Sequence, residues 1–441
     1  MSYARWATKE EILEQTKKVT KEGPVEVSGI PVMYDEDSAY ISKSAIHNLI
    51  VGGTGSGKTQ SIVLPEIYLA IRAGESFIVN DNRGEIYEKM SGFAQKNGYK
   101  VEVIDLVNMN KGCNFNPLYL PYKLFKEDKI DASVELLENV GYNLISDNGF
   151  NDADPFWENS AISLFVGLAI YLFCRAKEDE ININSIANLV DNLDAVKEDI
   201  NNLEKAPIIN TFLTSILNAP TDTKGSIIAV FKQKIRLLTS REAFSKLLAS
   251  NNIELGNIKN EKTALFIIGD GKYSKFITPM IFNQVCNIIK LNNNSNNKLR
   301  IMLDDFDELK PINGIYEMLT DCRSLGIKVT AIIKSFLCLI DKYGEKNSEF
   351  VKMAFGNTVF LLANDIETLN RISQECGRKS ETESLITVEE LKVLKPFEAV
   401  ILMNRMYPIK TKLVPYFEFN IEAIEPVEQK PLEYTEVKLY K

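Results

Sequence analysis

A glycine-rich segment at residues 52–59 is the part of the sequence whose residue types and spacing point most directly to chemistry. It contains Gly52 and then, after four residues, Gly57-Lys58-Thr59, which is the pattern of a phosphate-binding loop. An apolar run precedes the segment and a helical pattern follows it, which is the setting that the motif requires. Glycines let backbone N–H groups wrap phosphates, and the helix N-terminus adds partial positive charge. The sequence therefore predicts a bound nucleoside triphosphate rather than a glycine-rich turn without ligand.

Two side chains of this loop have specific expected roles. Lys58 supplies a full positive charge to the β- and γ-phosphates, and Thr59 places a hydroxyl where it can coordinate Mg²⁺. The predicted nucleotide-binding residues are Gly52, Gly53, Thr54, Gly55, Ser56, Gly57, Lys58, Thr59 and Gln60.

A second candidate site feature is the pair of carboxylates at Asp304 and Asp305, which directly follows an apolar run at residues 299–303. A phosphate-binding loop needs an acidic partner at the end of a neighbouring strand. We predict that Asp304 anchors the water bound to Mg²⁺ and that Asp305 polarises the attacking water as a general base, with a shorter reach than a glutamate. The alternative is a solvated acidic turn, since Asp307 and Glu308 follow.

The elements that must position these groups alternate between strand and helix patterns, which indicates the α/β class with a mostly parallel sheet. Strand-like runs occupy residues 49–51, 76–80, 99–104, 264–269, 299–304, 329–333 and 358–363. Between 118 and 260 they give way to helical patterns at 131–139, 157–176, 185–192, 207–217 and 224–238.

We therefore predict a nucleotide-binding domain interrupted by an all-α insertion. The expected segments are an N-terminal lead-in at 1–46, the first part of the nucleotide-binding domain at 47–117, the inserted all-α domain at 118–260, and the second part of the nucleotide-binding domain at 261–441. Within the lead-in, the pattern predicts a helix at 12–19 and a strand at 25–27.

Composition narrows the function classes. The net charge of -9 argues against a surface that grips nucleic acid by bulk positive charge, although a basic channel lining can coexist with an acidic exterior. The six cysteines form no CxxC pair and are expected to be buried thiols, and the single histidine, His47, is expected to be structural. The apolar run at 161–174 is expected to be a buried helix of a soluble chain.

Several motifs together resemble the TraG/TraD-type coupling proteins of conjugation and type IV secretion, and the resemblance covers nearly the whole chain. Besides residues 48–59, the matching pieces are Tyr3-Ala4-Arg5-Trp6-Ala7-Thr8, Asp81-Asn82-Arg83-Gly84-Glu85, Asn116-Pro117-Leu118, Asp154-Pro155-Phe156-Trp157, residues 303–309, Arg323-Ser324-Leu325-Gly326, Gly356-Asn357 and Asn364-Asp365-Ile366-Glu367-Thr368.

The resemblance implies a RecA-like P-loop NTPase that uses ATP and Mg²⁺ to deliver DNA to a secretion channel. It implies single-stranded DNA and a relaxase as substrates. The channel ATPases and inner-membrane components would be partners, in a homo-hexamer at the cytoplasmic face of the cell membrane. A single subunit without anchor or DNA remains an alternative. Arg323 matches an arginine that such families place at the subunit interface as an arginine finger; a surface salt-bridging role is the alternative.

The chain departs from the family pattern in four places. Asn82 and Arg83 stand in Asp-Asn-Arg-Gly-Glu where the family has Asp-Pro-Lys-Gly-Glu, and Asp305 replaces a glutamate. Lys334 stands where the family carries a glutamine thought to sense the γ-phosphate, although a lysine cannot accept a hydrogen bond from water. Family members also carry transmembrane helices before the Tyr-Ala-Arg-Trp segment. Asp305 and Lys334 argue against fast hydrolysis but leave the expected nucleotide binding intact.

Three functions remain to be compared. The leading hypothesis is an ATP-driven coupling motor, and the alternative is a docking protein that binds nucleotide and recruits relaxase or protein cargo with little or no turnover. A small-molecule kinase is disfavoured by the chain length and by the lack of an arginine-rich lid pattern. Candidate DNA contacts are Lys224, Lys232, Lys234, Arg236, Lys272, Tyr273 and Lys275, with a solvated surface role as the alternative for each.

Overall fold

The computed structural model describes residues 3–20, 23–36, 38–146, 154–269, 271–292, 297–419, 421, 423–432 and 436–440. Strands and helices alternate along most of this chain. The strands are β1 Thr16–Thr20, β2 Pro31–Tyr34, β3 Ser38–Ser42, β4 Asn48–Gly52, β5 Ser76–Asp81, β6 Lys100–Asp105, β7 Thr263–Ile268, β8 Leu299–Leu303, β9 Ile327–Ile333, β10 Asn357–Leu362, β11 Glu398–Met403 and β12 Ile409–Lys412.

The helices cover both faces of the main sheet and form a separate block between β6 and β7. They are α1 Lys9–Gln15, α2 Leu64–Ala73, α3 Glu85–Lys96, α4 Tyr119–Lys126, α5 Ile130–Ile145, α6 Phe156–Arg175, α7 Ile183–Asp191, α8 Leu193–Ile200, α9 Ala206–Leu217, α10 Thr221–Thr239, α11 Glu242–Leu247, α12 Ser274–Leu291, α13 Ile315–Ser324, α14 Phe336–Tyr343, α15 Glu345–Ala354, α16 Ile366–Cys376 and α17 Val388–Lys392.

The main sheet has nine strands in the order β12-β11-β10-β4-β9-β8-β5-β7-β6. The seven strands from β10 to β6 are parallel to one another, whereas β11 and β12 form an antiparallel edge. The carboxyl ends of β4, β9 and β8 therefore meet at one edge, with β9 between the other two. This order brings together the loops that follow these three strands, although they are far apart in sequence. It confirms the predicted α/β class with a mostly parallel sheet.

Both faces of this sheet are buried, because parallel strands are joined by helical crossovers that cover them. On one face, apolar residues of α2 and α3 such as Ile67 and Met90 pack against Ile50 and Phe266 of the strands. On the other face, α12 and the helical block complete a larger core. The seven parallel strands consequently consist of nearly continuous apolar residues, which explains why the sequence pattern predicts them, whereas it does not predict the antiparallel edge strands β11 and β12.

The helical block consists of α4 to α11, and the described residues between β6 and β7 contain no strand. Its central helix is α6, Phe156–Arg175, which packs against α5, α7, α9 and α10. This helix is long and apolar enough to cross a membrane by length and composition, but 61% of its most apolar window is buried within the protein. That burial supports the prediction of a buried helix, and the helix extends beyond the apolar run at both ends.

The predicted N-terminal helix is partly wrong. Thr8 and Glu11 form a capping box that starts α1, but the helix ends at Gln15, and Thr16–Thr20 form β1. β1 pairs with β3, and β3 pairs with β2, in a small antiparallel sheet. The β-branched residues of β1 favour a strand over a helix. No strand forms at 25–27 among the described residues of the lead-in.

Candidate nucleotide-binding site

The phosphate-binding loop leaves the carboxyl end of β4 and turns sharply into a helix. Gly55 and Gly57 have φ values of 80° and 84°, which L-amino acids with side chains rarely adopt. The loop is anchored to the neighbouring strand because the N–H of Gly53 donates to the carbonyl of Leu362 at 2.8 Å. A π-helical turn, Thr59–Val63, connects the loop to α2. The predicted loop therefore has the conformation that exposes backbone N–H groups at a helix N-terminus.

The loop forms one wall of a cleft of about 490 Å³. Loop residues 54–60 line this cleft, whereas Gly52 and Gly53 of the predicted set lie just outside it. The opposite wall is contributed by β5 and the residues that follow it, by the residues after β8, and by the residue after β9. These are Asp81, Asn82, Arg83, Glu85, Ile86, Asp304, Asp305, Glu308 and Lys334. Lys58, Thr59, Asp304, Asp305 and Lys334 thus share one cleft, as the sequence-based site requires.

Asp304 is the carboxylate that best fits a role in holding Mg²⁺. Burial of its carboxylate and the charge of Asp305 raise the pKa of Asp304 to about 7, while the charge of Lys58 opposes that shift. A cation at this position would stabilise the ionised carboxylate. The pattern of one hydroxyl, one carboxylate and nucleotide phosphates matches the way Mg²⁺ is commonly held in such sites.

The loop also contains polar atoms that a nucleotide could satisfy. Among the described residues, the buried Ser56 hydroxyl and Gln60 side-chain carbonyl oxygen have no hydrogen-bond partner. Lys58 makes a weak contact of 3.5 Å from Nζ to the Gly53 carbonyl oxygen. Unsatisfied buried groups of this kind are costly unless a ligand or water completes them. The residues present therefore fit a nucleotide with Mg²⁺, held by Lys58, Thr59 and Asp304.

Asp305 is held in a fixed position by Asn82. The Asn82 side-chain amide donates to Oδ2 of Asp305 at 2.8 Å, and Asn80 donates to both the Asn82 side chain and the Asp304 carbonyl. Asp305 itself has a φ of 49°, an uncommon conformation for a residue with a side chain. Asn82 and Asp305, two of the residues that depart from the family pattern, are thus direct partners. Because they lie far apart in the sequence, local patterns do not predict this contact.

Lys334 lies in the cleft but is engaged by acidic residues. Its Nζ donates to Glu308 and lies 3.8 Å from Asp307. Partial burial alone would lower the pKa of Lys334, but the charges of Glu308 and Asp307 outweigh burial and raise it. Asp307 is only 4% exposed and its Oδ1 has no hydrogen-bond partner. The solvated acidic turn considered for residues 307–308 is therefore wrong for Asp307, and Glu308 is a cleft residue that the sequence did not single out.

Arg323 is not part of this cleft. It lies exposed in the last turn of α13, just before β9 begins, which is the opposite edge of the sheet from the phosphate loop. A strand of seven residues such as β9 spans about 20 Å, far more than an arginine side chain can bridge. Any role of Arg323 in phosphate chemistry must therefore be played at the site of another subunit.

The structure also places the remaining predicted residues. Tyr273, one of the candidate DNA contacts, is only 9% exposed and packs on Phe244, so its ring is not available for a base to stack on and the prediction is wrong for this residue. Lys224, Lys232 and Lys234 pair with Asp194, Asp191 and Glu158. His47 is buried, as expected of a structural residue, but three of the six cysteines, Cys113, Cys174 and Cys338, are only half-buried.

Comparison with known proteins identifies the class and then the family. The fold is that of P-loop coupling proteins: a structure of the plasmid coupling protein TrwB in complex with ADP and Mg²⁺ superimposes with a TM-score of 0.69 at 14% identity, covering 97% of this chain and 96% of the chain in that structure. The VirB4 structure of Thermoanaerobacter pseudethanolicus matches with a TM-score of 0.56 at 14% identity, covering 90% of this chain and all of that chain. At these identities, the likeness establishes the fold.

The family follows from the sequence comparison. Residues 1–384 match the family described as type IV secretory system conjugative DNA transfer, and the chain belongs to that family. Conjugal transfer protein TraG of Escherichia coli is 21% identical over 377 residues, covering 77% of this chain and 56% of TraG. This chain therefore spans little more than half the length of that relative. The predicted resemblance to TraG/TraD-type coupling proteins and the RecA-like fold are confirmed.

Proposed function

We propose that this protein is an ATPase that couples DNA, or a relaxase with its attached DNA, to a type IV secretion channel. The observation that carries the proposal is the single cleft in which the phosphate loop faces Asp304 and Asp305, in a chain of the conjugative DNA-transfer family. TrwB is known in complex with ADP and Mg²⁺ and with a non-hydrolysable ATP analogue, which supports nucleotide and Mg²⁺ as ligands here.

In the proposed reaction, Lys58 binds the β- and γ-phosphates, and Thr59 and Asp304 would hold Mg²⁺. The metal would supply neutralisation of charge on these phosphates. Asp305, oriented by Asn82, accepts a hydrogen bond from the attacking water and polarises it. Arg323 of a neighbouring subunit would complete the charge stabilisation in a homo-hexamer. The proposed location is the cytoplasmic face of the cell membrane, beside the channel ATPases and inner-membrane components.

The inserted helical block, α4 to α11, is the part of the chain that we assign to substrate recruitment. This block lies between β6 and β7 and outside the nucleotide cleft. Changes in its sequence can therefore occur without disturbing the phosphate loop. Of the candidate DNA contacts on this block, Arg236 is exposed on α10, whereas the three lysines pair with acidic residues. Salt pairs of this kind are weak at the surface and do not prevent a phosphate from competing for the lysines.

The test is a steady-state measurement of phosphate release with and without single-stranded DNA. We expect turnover that DNA stimulates and that Lys58→Ala abolishes. Lys346→Ala, which removes an exposed lysine on α15, is the matched control and should retain wild-type turnover. Absence of phosphate release at saturating ATP, Mg²⁺ and DNA would reject the ATPase proposal.

A second function has its own supporting observation. Lys334 is bound to Glu308, so the side chain in the position of the family's γ-phosphate sensor is already engaged. This contact favours a docking protein that binds nucleotide and recruits relaxase or protein cargo with little turnover. The same assay separates the two functions, because DNA-stimulated turnover that depends on Lys58 excludes docking without hydrolysis.

A further inference from the structure

A phenyl ring lies against the phosphate-binding loop, on the side away from the acidic residues. A Cβ atom placed on Gly57 would lie 2.8 Å from Cε1 and 3.0 Å from Cδ1 of Phe397, so the ring is in van der Waals contact with this glycine. Phe397 lies beyond residue 384, where the family match ends. Neither the loop motif nor the family pattern therefore points to it.

The backbone of Phe397 is held in a conformation that favours glycine. Its φ is 66°, and the N–H of Glu398 donates to the carbonyl of Lys395 at 2.9 Å, which closes a four-residue turn. Pro396 occupies the second position of this turn and Phe397 the third, where glycine is the usual residue. The turn is fixed further because Leu413 donates to the Phe397 carbonyl at 2.8 Å. Strain of this kind is concentrated where a side chain has a ligand-binding task.

A second ring extends this apolar wall. Phe417 is 64% exposed, and its ring centroid lies 6.1 Å from that of Phe397 with an interplanar angle of 69°. Aromatic pairs prefer such an edge-to-face arrangement, which leaves ring surface free for a third flat group. We call Phe397 and Phe417 the aromatic wall. Its exposed area is unfavourable in water unless a ligand covers it.

The aromatic wall lies on the side of the phosphate loop towards which the nucleoside part of a bound nucleotide must extend. β11 begins at Glu398 and runs antiparallel to β10, so the turn before it lies at the same sheet edge as the phosphate loop. In the strand order, β10 and β11 lie on one side of β4, whereas β9 and β8 lie on the other. A triphosphate with its γ-phosphate near Lys334 and Asp304 therefore directs its nucleoside towards the aromatic wall.

We propose that Phe397, flanked by Phe417, stacks on the base of the nucleotide whose phosphates occupy the loop. This inference rests on the proposed nucleotide-binding function and deepens it by assigning the base subsite. Aromatic stacking uses the flat face that every base presents, so it adds affinity for the nucleoside part and none for the phosphates alone.

The test compares binding of ATP with binding of inorganic tripolyphosphate, each in the presence of Mg²⁺. Phe397→Gly removes the ring and suits the positive φ, so the fold should be retained. We expect this variant to lose about 10-fold in ATP affinity, with tripolyphosphate affinity unchanged, because stacking of one base contributes an amount of that order. Phe397→Trp should retain wild-type ATP affinity, and Phe350→Ala, which removes an exposed phenyl ring on α15, is the matched control.

Two results would overturn the base subsite. One is Phe397→Gly binding ATP as tightly as the wild type; the other is that variant losing ATP and tripolyphosphate affinity equally, which would indicate a structural role for the ring. Failure of the wild-type protein to bind either compound would instead reject nucleotide binding itself, and the base subsite with it. Phe417→Ala provides an independent measurement, since this exposed residue can be removed without a core defect, and we expect a smaller loss of ATP affinity alone.

Discussion

Individual side chains in the cleft compensate for one another. Asp305 is one methylene shorter than the glutamate of the family pattern, and Asn82 replaces a proline that has neither an N–H nor a polar side chain. The Asn82 amide contacts the Asp305 carboxylate at 2.8 Å, so one departure supplies a partner for the other. Because a general base must be aligned with its water, this contact positions the group proposed to act on water.

The Asn82–Asp305 contact leads to a prediction about turnover. Asn82→Ala should lower kcat on the order of 10-fold and leave KM for ATP nearly unchanged, because orientation of Asp305 is lost while the phosphate loop is intact. Steady-state kinetics at saturating Mg²⁺ measure both constants. Asn347→Ala, an exposed asparagine on α15, is the control and should have no effect. An unchanged kcat for Asn82→Ala would show that Asp305 needs no partner.

At the scale of elements, the small part of the site that is contiguous in sequence was predictable. The loop at residues 52–59 has a recognisable motif between a strand and a helix. The strand before Asp304 is recognisable because its residues are mostly apolar. The contact of Asn82 with Asp305 and the positions of Glu308 and Phe397 in the site could not be predicted in this way, because they depend on the strand order and on the antiparallel return of β11. That order is a tertiary property, and local patterns do not encode it.

The same limit explains the errors at the chain's N-terminal end. Val19 lies seven residues after Ile12, which is a helical spacing, so the local pattern extends the helix to Val19. Pairing of Thr16 with Ser42 and of Thr20 with Ser38 in β3 instead fixes this segment as a strand. Long-range hydrogen bonds thus reinforce the strand preference of the β-branched residues and override the helical spacing in this short segment.

His47, the residue before β4, accepts a hydrogen bond from β9 that depends on pH. Its Nδ1 accepts from the Val329 N–H at 2.9 Å and its Nε2 lies 2.7 Å from the Leu319 carbonyl, so the ring is held neutral with the proton on Nε2. Burial, and the positive charges of Lys328, Arg323 and Arg300, lower the pKa of His47 to about 4. Protonation of Nδ1 would break the bond to Val329.

A pH dependence of stability follows. Between about pH 6.5, the usual histidine pKa, and pH 4, the unfolded chain binds a proton that the folded protein does not. The His47 contribution is therefore fully present above pH 6.5 and is lost as pH falls, by about 2 kcal/mol at pH 5. Urea unfolding at pH 7.5 and pH 5 measures the difference. His47→Gln, which does not titrate, should lose less free energy of unfolding over this interval than the wild type; equal losses would contradict the assignment.

For the whole molecule, the C-terminal tail, of which residues 423–432 and 436–440 are described, joins the sheet domain to the helical block. Val427 donates to the Ser91 hydroxyl of α3, Gly112 donates to the Lys430 carbonyl, and Tyr440 donates to the Ser185 hydroxyl of α7. The tail thus crosses from a helix beside the nucleotide cleft to the inserted helices. We expect the two parts to unfold together while the tail is in place.

Gly92 offers a point mutation that separates the tail from α3. A Cβ atom there would lie 2.1 Å from the Glu425 carbonyl oxygen, so Gly92→Ala must displace the tail and should cost about 1–3 kcal/mol of unfolding free energy. Gly225→Ala in α10 is the matched control, because nothing lies within 4 Å of a Cβ there, and it should be neutral or slightly stabilising. Hydrogen exchange of residues 423–432 locates the effect. Unchanged protection in Gly92→Ala would mean that the tail is not held by this contact.

In the proposed ATPase, the position of Arg323 would make assembly a requirement for full activity. Because this arginine lies at the sheet edge opposite its own cleft, only a neighbouring subunit can present it to bound nucleotide. Lys58→Ala and Arg323→Ala subunits should therefore each be inactive alone, yet a mixture should recover activity wherever an intact cleft meets an intact arginine. In a head-to-tail ring of randomly mixed subunits that condition holds at about a quarter of the interfaces. Phosphate release from equal mixtures, compared with each variant alone, measures the recovery. A mixture as inactive as its components would place Arg323 outside the reaction, since a contribution in trans is the only one that its location in the fold permits.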